Sequence, residues 1–512
     1  HVLTANDYLV ERDAESLRPL YAALGLSVGA VTEREREPAA RRAAYACDVT
    51  YGTGKTIAFD YLRDRLERGA TRTGVSEAVE DLSRERPLAE RLLLRGLCFA
   101  IVDEADGVLI DEARTPLILA APGGPSQHES VYKTALELAR ALAPGRDFRI
   151  RTQEARVELT DAGRARLAER ARPRGGFWTG PRRREEWATR ALRALHLHVR
   201  DRDYLVRDGR VEIIDQPTGR VSPDRSWEHG LHQLIEIKEG CAVTAEHQTR
   251  TRISFQRFFR RYLRLAGMTG TAREVARELW SVYGLEVVRI PTRRPVIRRS
   301  LGARAFASES QKWDAVVARL RELRSAGRPV LVGTSSVAAS ERLSGRLEEA
   351  GLPHRVLNAR QDAAEAAIVA EAGAAGRITV STNMAGRGTD IRLSAEVAAR
   401  GGLHVIATER GPARRIDRQL FGRCGRQGDP GSYEVVTSLE DEAVRLWWPA
   451  VARKACLGLL GRCRGHRADR LVVGLMLLFQ RAEEARGARV RRHLVAADAS
   501  LDRVLAFAGR HH

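Results

Sequence analysis

The chain has 512 residues, 43% hydrophobic and 30% charged, which allows three or four domains with real cores. Its longest apolar run near the C-terminus, Leu471 to Phe479, is too short to span a bilayer, and the opening residues do not read as a signal peptide. Six scattered cysteines (Cys47, Cys98, Cys241, Cys424, Cys456, Cys463) form no C-x-x-C pair, which argues against structural zinc and for a reducing cytosol, while a formal charge of +20 suits an anionic lipid or nucleic-acid surface. The cations are almost all arginine, and coding bias explains that excess as well as an anionic partner does.

His1 to Thr4 reads as a core strand with nothing ahead of it, so an N-terminal part is expected to precede this sequence. Asn6 or Asp7 can cap a helix whose apolar face is Leu17, Leu20, Tyr21 and Leu24, closed by Gly25. A strand over Ala46 to Gly52, a helix over Phe59 to Leu66 and a strand over Phe99 to Val102 follow. That alternation predicts a parallel α/β layer, broken at Pro122 to Pro125 (PGGP). From 121 to 240 arginine-rich helices surround a loop, Arg172 to Pro181. A hairpin follows: Tyr204 to Val206, the turn Asp208-Gly209, then Val211 to Ile214. This reads as an inserted α+β domain. Arg252 to Leu265 reads as an aromatic-basic helix leading into GMTGTA (Gly267 to Ala272). A second α/β block spans 298 to 441, with strands at Val330 to Val332, Arg355 to Leu357, Ile378 to Ser381, Leu403 to Ile406 and Tyr433 to Val436, and a helix at Val337 to Glu349. The tail from 442 to 512 is helical and arginine-rich.

The Phe99 strand ends on two carboxylates, Asp103 and Glu104, where an open parallel sheet binds its ligand. One acid can hold Mg²⁺ through water, and its neighbour can orient or deprotonate an attacking water. A lone pair of this kind more often marks a solvated acidic turn. The stretch LIDEARTP (Leu109 to Pro116) changes that balance.

Several runs, in order from residue 1 to about 440, resemble SecA, the ATPase motor of bacterial protein export. They are LTANDYLVERD (3–13), VTYGT with FDYLRD (49–64), LIDEARTPLIL (109–119), WEHGLHQLIEIKEG (227–240) and ISFQRFFRRYLRLAGMTGTA (253–272). They continue with IPTRRPVIR (290–298), LVGTSS (331–336), STNMAGRGTDI (381–391), GGLHVIATER (401–410) and RRIDRQLFGRCGRQGDPGS (414–432). The resemblance implies an α/β fold of two RecA-like parallel-sheet lobes, of the helicase superfamily 2 type, with ATP and Mg²⁺ held between them. Lobe 1 is 1–120 with 241–297. The insertion, 121–240, is similar to the family's preprotein-crosslinking domain. Lobe 2 is 298–441, and 442–512 resembles the start of a helical scaffold.

In that frame Asp103 takes Mg²⁺ through water and Glu104 the attacking water. Gly386, Arg387, Gly388, Thr389, Asp390 and Gln427 bind nucleotide, glycine letting backbone N–H groups approach phosphate closely. Arg423 and Arg426, three apart on a predicted helix, aim into the cleft and neutralise the γ-phosphate in the transition state. By itself an i,i+3 arginine pair is usually a solvated face. Thr269, Gly270 and Thr271 relay nucleotide state between lobes.

A phosphate loop is expected ahead of the NDYL segment, before His1. Gly52-Thr53-Gly54-Lys55-Thr56 imitates one. It reads as a decoy, because Val49 stands where the long pattern wants glycine and its strand comes too late in the lobe. A chain truly starting at His1 would be nearly dead as an ATPase. DQPTGR (215–220) and Phe421 depart from the family pattern, and the family's wing, finger and metal tail have no counterpart. A specialised or accessory paralogue is the expectation. Its partners would be unfolded preprotein, the Sec membrane channel and anionic lipid, with self-association open. It would be cytoplasmic and peripheral at the inner face of the bacterial plasma membrane. Two alternatives stay open. One is a catalytically impaired SecA-like binding module. The other, less favoured, is a nucleic-acid helicase, since Asp103 to Asp106 spells DEAD. About 165 residues separate Asp103 from Thr269, far more than such helicases carry, so nucleic acid is not the expected partner.

Overall fold

Asn6 starts the first helix: its side chain accepts the Leu9 N–H at 2.9 Å, and Gly25, at φ +72°, follows the last turn. The computed structural model describes residues 1–68, 87–122, 129–151, 156–215, 220–222, 226–227, 230–245, 247–357, 365–382, 388–462 and 466–507. The helix Asp7–Ala23 buries Leu9, Val10 and Ala14 against Val28 and Tyr51. The expected apolar face is largely in solvent, with Leu17, Leu20 and Leu24 at 38%, 56% and 65% exposure. The reason is length. Seventeen helical residues run about 25 Å, whereas the strands beneath, three to five residues each, cover roughly 10–17 Å.

Lobe 1 is a parallel five-stranded sheet. Its strands are β1 (Val2–Thr4), β2 (Val28–Val31), β3 (Val49–Thr53), β4 (Phe99–Asp103) and, from far along the chain, β12 (Arg264–Met268). Their order is β12-β4-β1-β3-β2. The helices Pro38–Ala46 and Gly54–Arg68 are joined under it by a buried pair, Arg41 to Asp60 at 2.6 Å, with the Tyr45 hydroxyl on the same carboxylate at 2.8 Å.

β5 (Leu117–Pro122) and β11 (His247–Ile253) form an antiparallel ribbon leading out to the inserted segment and back. Within it, β6 (Phe148–Arg151) pairs with β7 (Arg156–Leu159), and β8 (Tyr204–Arg207), β9 (Arg210–Asp215) and β10 (Arg220–Ser222) form an antiparallel sheet. The expected hairpin turn is present, Asp208 and Gly209 having φ +51° and +71° as a two-residue primed turn requires. The expected loop Arg172 to Pro181 contains two short 3₁₀ turns, and the helices Glu129–Arg140, Pro181–His196 and Leu231–Glu239 pack over a separate core. Within DQPTGR, and within PGGP, residues 216–219 and 123–125 lie outside the described set.

Arg252 to Leu265 is not one helix. Ser254 caps a short helix, Phe255–Phe259, by accepting the Arg257 N–H at 3.1 Å, and the chain is back in the sheet as β12 from Arg264. Phe255, Phe258, Phe259 and Tyr262 all enter the lobe 1 core. Helical spacing therefore served burial over one turn, and strand pairing with β4 stopped the helix.

Lobe 2 is a parallel six-stranded sheet, ordered β13-β18-β17-β14-β16-β15. These are β13 (Arg299–Phe306), β14 (Val330–Thr334), β15 (Arg355–Leu357), β16 (Ile378–Thr382), β17 (Leu403–Ala407) and β18 (Gly431–Ser438). The sequence reading lacks β13, an edge strand whose first four residues are exposed and carry no apolar alternation. The fold is α/β with two RecA-like lobes. A long C-terminal helix, His466–Phe507, lies against both. Among the described residues no helix is long and apolar enough to cross a membrane.

Candidate functional site between the lobes

β4 delivers Asp103 to the carboxyl end of the lobe 1 sheet. Its Oδ1 accepts the Glu104 N–H at 2.9 Å. Glu104 has φ +50°, a left-handed conformation that a non-glycine residue adopts only when its surroundings impose it. Asp106, two residues on, is fully buried and accepts hydrogen bonds from both lobes. They come from Thr269 Oγ1 at 2.6 Å, Thr271 Oγ1 at 2.9 Å, Gln419 Nε2 at 2.9 Å and Arg415 Nη1 at 2.9 Å. A wide helical turn, Gly107–Asp111, then places Asp111 beside Arg415, whose Nη1 donates to Oδ2 at 2.6 Å and whose Nη2 donates to Oδ1.

Arg415 is 2% exposed and belongs to lobe 2. Burial pushes its guanidinium down, but Asp111 and Asp106 outweigh that and hold it well above its ordinary value. It sits on the helix Arg414–Phe421, where residues 415, 418 and 419 share one face. Arg418 reaches the Gly270 carbonyl at 3.1 Å and Glu274 at 3.0 Å, and Gln419 also donates to Thr271 Oγ1 at 3.0 Å. One helix of lobe 2 thus grips the strand end and the TGT turn of lobe 1 through three side chains.

The structure places Thr269, Gly270 and Thr271 in this seam. Arg423 and Arg426 are positioned otherwise than expected. The helix ends at Phe421, so they do not share a helical face. They follow in successive turns set by Gly425, Gln427 and Gly428, at φ +64°, +56° and +84°. They still converge, donating to the Thr389 carbonyl at 3.2 and 3.3 Å, and Arg426 pairs with Asp390 at 3.0 Å. These contacts are with lobe 2's own loop. Gln427 is exposed, and its carbonyl accepts from Arg294 at 3.2 Å. Gly388 stands at φ +77°, while Gly386 and Arg387 lie outside the described residues.

GTGKT is a strand-to-helix turn. Thr53 Oγ1 takes the Thr56 N–H at 3.1 Å, capping the helix that begins at Gly54. A Cβ on Gly54 would meet Val108 at 3.1 Å and Phe259 at 3.4 Å, so core side chains pack against that glycine. Lys55 Nζ lies 4.0 Å from Glu112.

The residues missing from the sequence reading are Asp106, Asp111, Arg415, Arg418 and Gln419. The signal for three of them was legible: 415, 418 and 419 have i, i+3, i+4 spacing inside RRIDRQL.

Against known proteins, the SecA DEAD-like domain matches residues 1–280, and the SecA P-loop domain matches 295–400 and 392–456. The chain is similar to Protein translocase subunit SecA 2 of Nitrosospira multiformis, at 50% identity over 515 residues, covering 100% of this chain and 76% of that one. It is 48% identical to Protein translocase subunit SecA 3 of Magnetococcus marinus, covering 99% and 77%. Among solved structures it is similar to the DEAD-box helicase Mss116 bound to ssRNA and UDP-BeF, with a TM-score of 0.39 and 10% identity, covering 95% of this chain and 72% of that one.

Proposed function

Because this chain belongs to the SecA family of protein translocase subunits, we propose that it is part of a nucleotide-driven motor that moves unfolded polypeptide through the Sec membrane channel. ATP would be hydrolysed in the cleft between the two lobes. The observation that carries this reading is the buried Arg415–Asp106–Asp111 network. It ties the end of the acid-bearing strand to the lobe 2 helix, so a change at Asp103 or Glu104 moves groups on both sides.

Mg²⁺ fits the donor set. Among the described residues no group of three or more His, Cys, Asp or Glu could hold a metal by itself. Mg²⁺ needs only one or two carboxylates plus phosphate and water oxygens, and Asp103 supplies a hard oxygen at the strand end. When bound, the ion would neutralise charge on the phosphates. Glu104 would orient the attacking water, and Arg423 and Arg426, aimed by the Thr389 carbonyl, would meet the γ-phosphate.

The test is steady-state ATP turnover of the gene product with an unfolded secretory protein and anionic vesicles, or with RNA. Glu104→Gln is expected to cut turnover by about 10²-fold or more while ATP still binds. Stimulation by polypeptide supports the motor. Stimulation by RNA alone would overturn it, and polypeptide binding without turnover would mark a binding module.

A further inference from the structure

A second seam joins the lobes away from the 414–421 helix. Leu9, on the first helix of lobe 1, is 1% exposed and fills the space left by Gly388 of lobe 2: a Cβ there would come within 2.4 Å of Leu9 Cδ1. One turn along the same face, Arg12 Nη1 donates to the Gly388 carbonyl at 3.2 Å. Asp13 holds the Arg12 Nε at 2.7 Å, and the guanidinium carbon lies 5.9 Å from the Tyr8 ring centroid, so the side chain is aimed. The next carbonyl, Thr389, is the one that accepts from Arg423 and Arg426. Three guanidinium groups, one from lobe 1 and two from lobe 2, therefore hold two consecutive carbonyls.

We propose that Arg12 is a positioning residue that sets the 388–390 loop against lobe 1 and, through the Thr389 carbonyl, sets where Arg423 and Arg426 point. When the lobes part, Arg12 loses its acceptor, the loop shifts, and both arginines lose theirs together. Arginine placement is thereby tied to lobe closure by backbone atoms alone. The catalytic consequence rests on the ATPase reading; the seam itself does not.

Arg12→Ala and Arg12→Lys in the full gene product, followed by hydrogen exchange and ATP kinetics, test this. Arg12→Ala is expected to speed amide exchange over 388–391 by about tenfold, the scale of one lost charged hydrogen bond, with the melting temperature and the 7–23 helix unchanged. Its kcat should fall severalfold with KM for ATP nearly constant, and Arg12→Lys should recover part of both effects. Unchanged exchange at 388–391, or a change confined to 7–23, would overturn the proposal, as would normal kcat in a protein that turns over ATP. Faster exchange at 388–391 in a protein that never hydrolyses ATP would retain the seam and remove the ATPase reading instead.

Discussion

Arg415 illustrates what a single buried charge does. It faces two carboxylates, and Asp106 keeps Thr269, Thr271 and Gln419 as donors, so Arg415→Ala leaves Asp111 the poorer partner. Breaking one side of such a pair costs about 3–5 kcal/mol, because the remaining charge stays desolvated. Chemical denaturation should show a loss of that size, and Asp111→Asn in the same chain should return part of it. Glu409 gives a pH-dependent counterpart. Its Oε2 is enclosed and has no hydrogen-bond partner among the described residues, and burial, then the charge of Asp441, push its carboxyl up to about 7 against the pull of Lys312 and Ser335, with Glu442 adding to the rise. Lys312 itself is fully buried and pairs with Asp441 at 2.6 Å. The folded protein then holds a proton that the unfolded chain has released above its ordinary carboxyl value. Stability therefore falls as pH rises from about 4.5 through about 7, and stays low above that. Glu409→Gln should flatten this slope and raise stability at pH 8 by about 1–3 kcal/mol, read as melting temperature against pH. Neither residue stood out in the sequence, since burial and proximity, not residue type, give both their weight.

At the scale of elements, local rules carried far where one turn or one strand decides the outcome. The Asp208-Gly209 turn and the Val337–Glu349 helix have the expected bounds, Ser336 capping the latter by accepting the Ala339 N–H at 3.1 Å. They failed where an element's length is set by what lies under it, as in the 7–23 helix, or where sheet pairing interrupts a helical pattern, as at β12. The GTGKT turn shows the same limit from the other side. Its letters suit a phosphate, but Gly54 is packed against Val108 and Phe259 and the helix start is capped from within. Lys55→Ala should therefore leave nucleotide affinity within about twofold, and stability within about 1 kcal/mol, as for a partly exposed ion pair. Loss of nucleotide binding, measured by calorimetry, would show that this turn holds phosphate after all.

Across the whole molecule, the long C-terminal helix straps the lobes together. Gln480 donates to the Gly411 carbonyl at 2.9 Å and to Asp417 at 3.0 Å, and Glu484 accepts the Arg414 N–H at 2.6 Å, all in lobe 2. Further along, Arg491 pairs with Glu278 of lobe 1, its Nη2 at 2.8 Å and 6% exposed, and Asp498 takes the Ser254 hydroxyl. Arg491→Ala should loosen lobe 1 without touching lobe 2. Calorimetry should then resolve two thermal transitions in place of one, the lower shifted down by several degrees. A single transition shifted as a unit would mean that the inter-lobe seams, not the strap, make the lobes cooperate.

The amino-acid sequence by itself determined that two parallel sheets form, which strands end on acids, and which runs carry the family likeness, because apolar strands, caps and turn residues act over a few neighbouring positions. Only the tertiary structure decided which charged groups meet. Arg415 finds Asp106 and Asp111 across about three hundred residues, and Arg423 and Arg426 settle on Thr389 after their helix has ended. Electrostatic partnership depends on distance and burial in space, and neither is written in the spacing of residues along a chain.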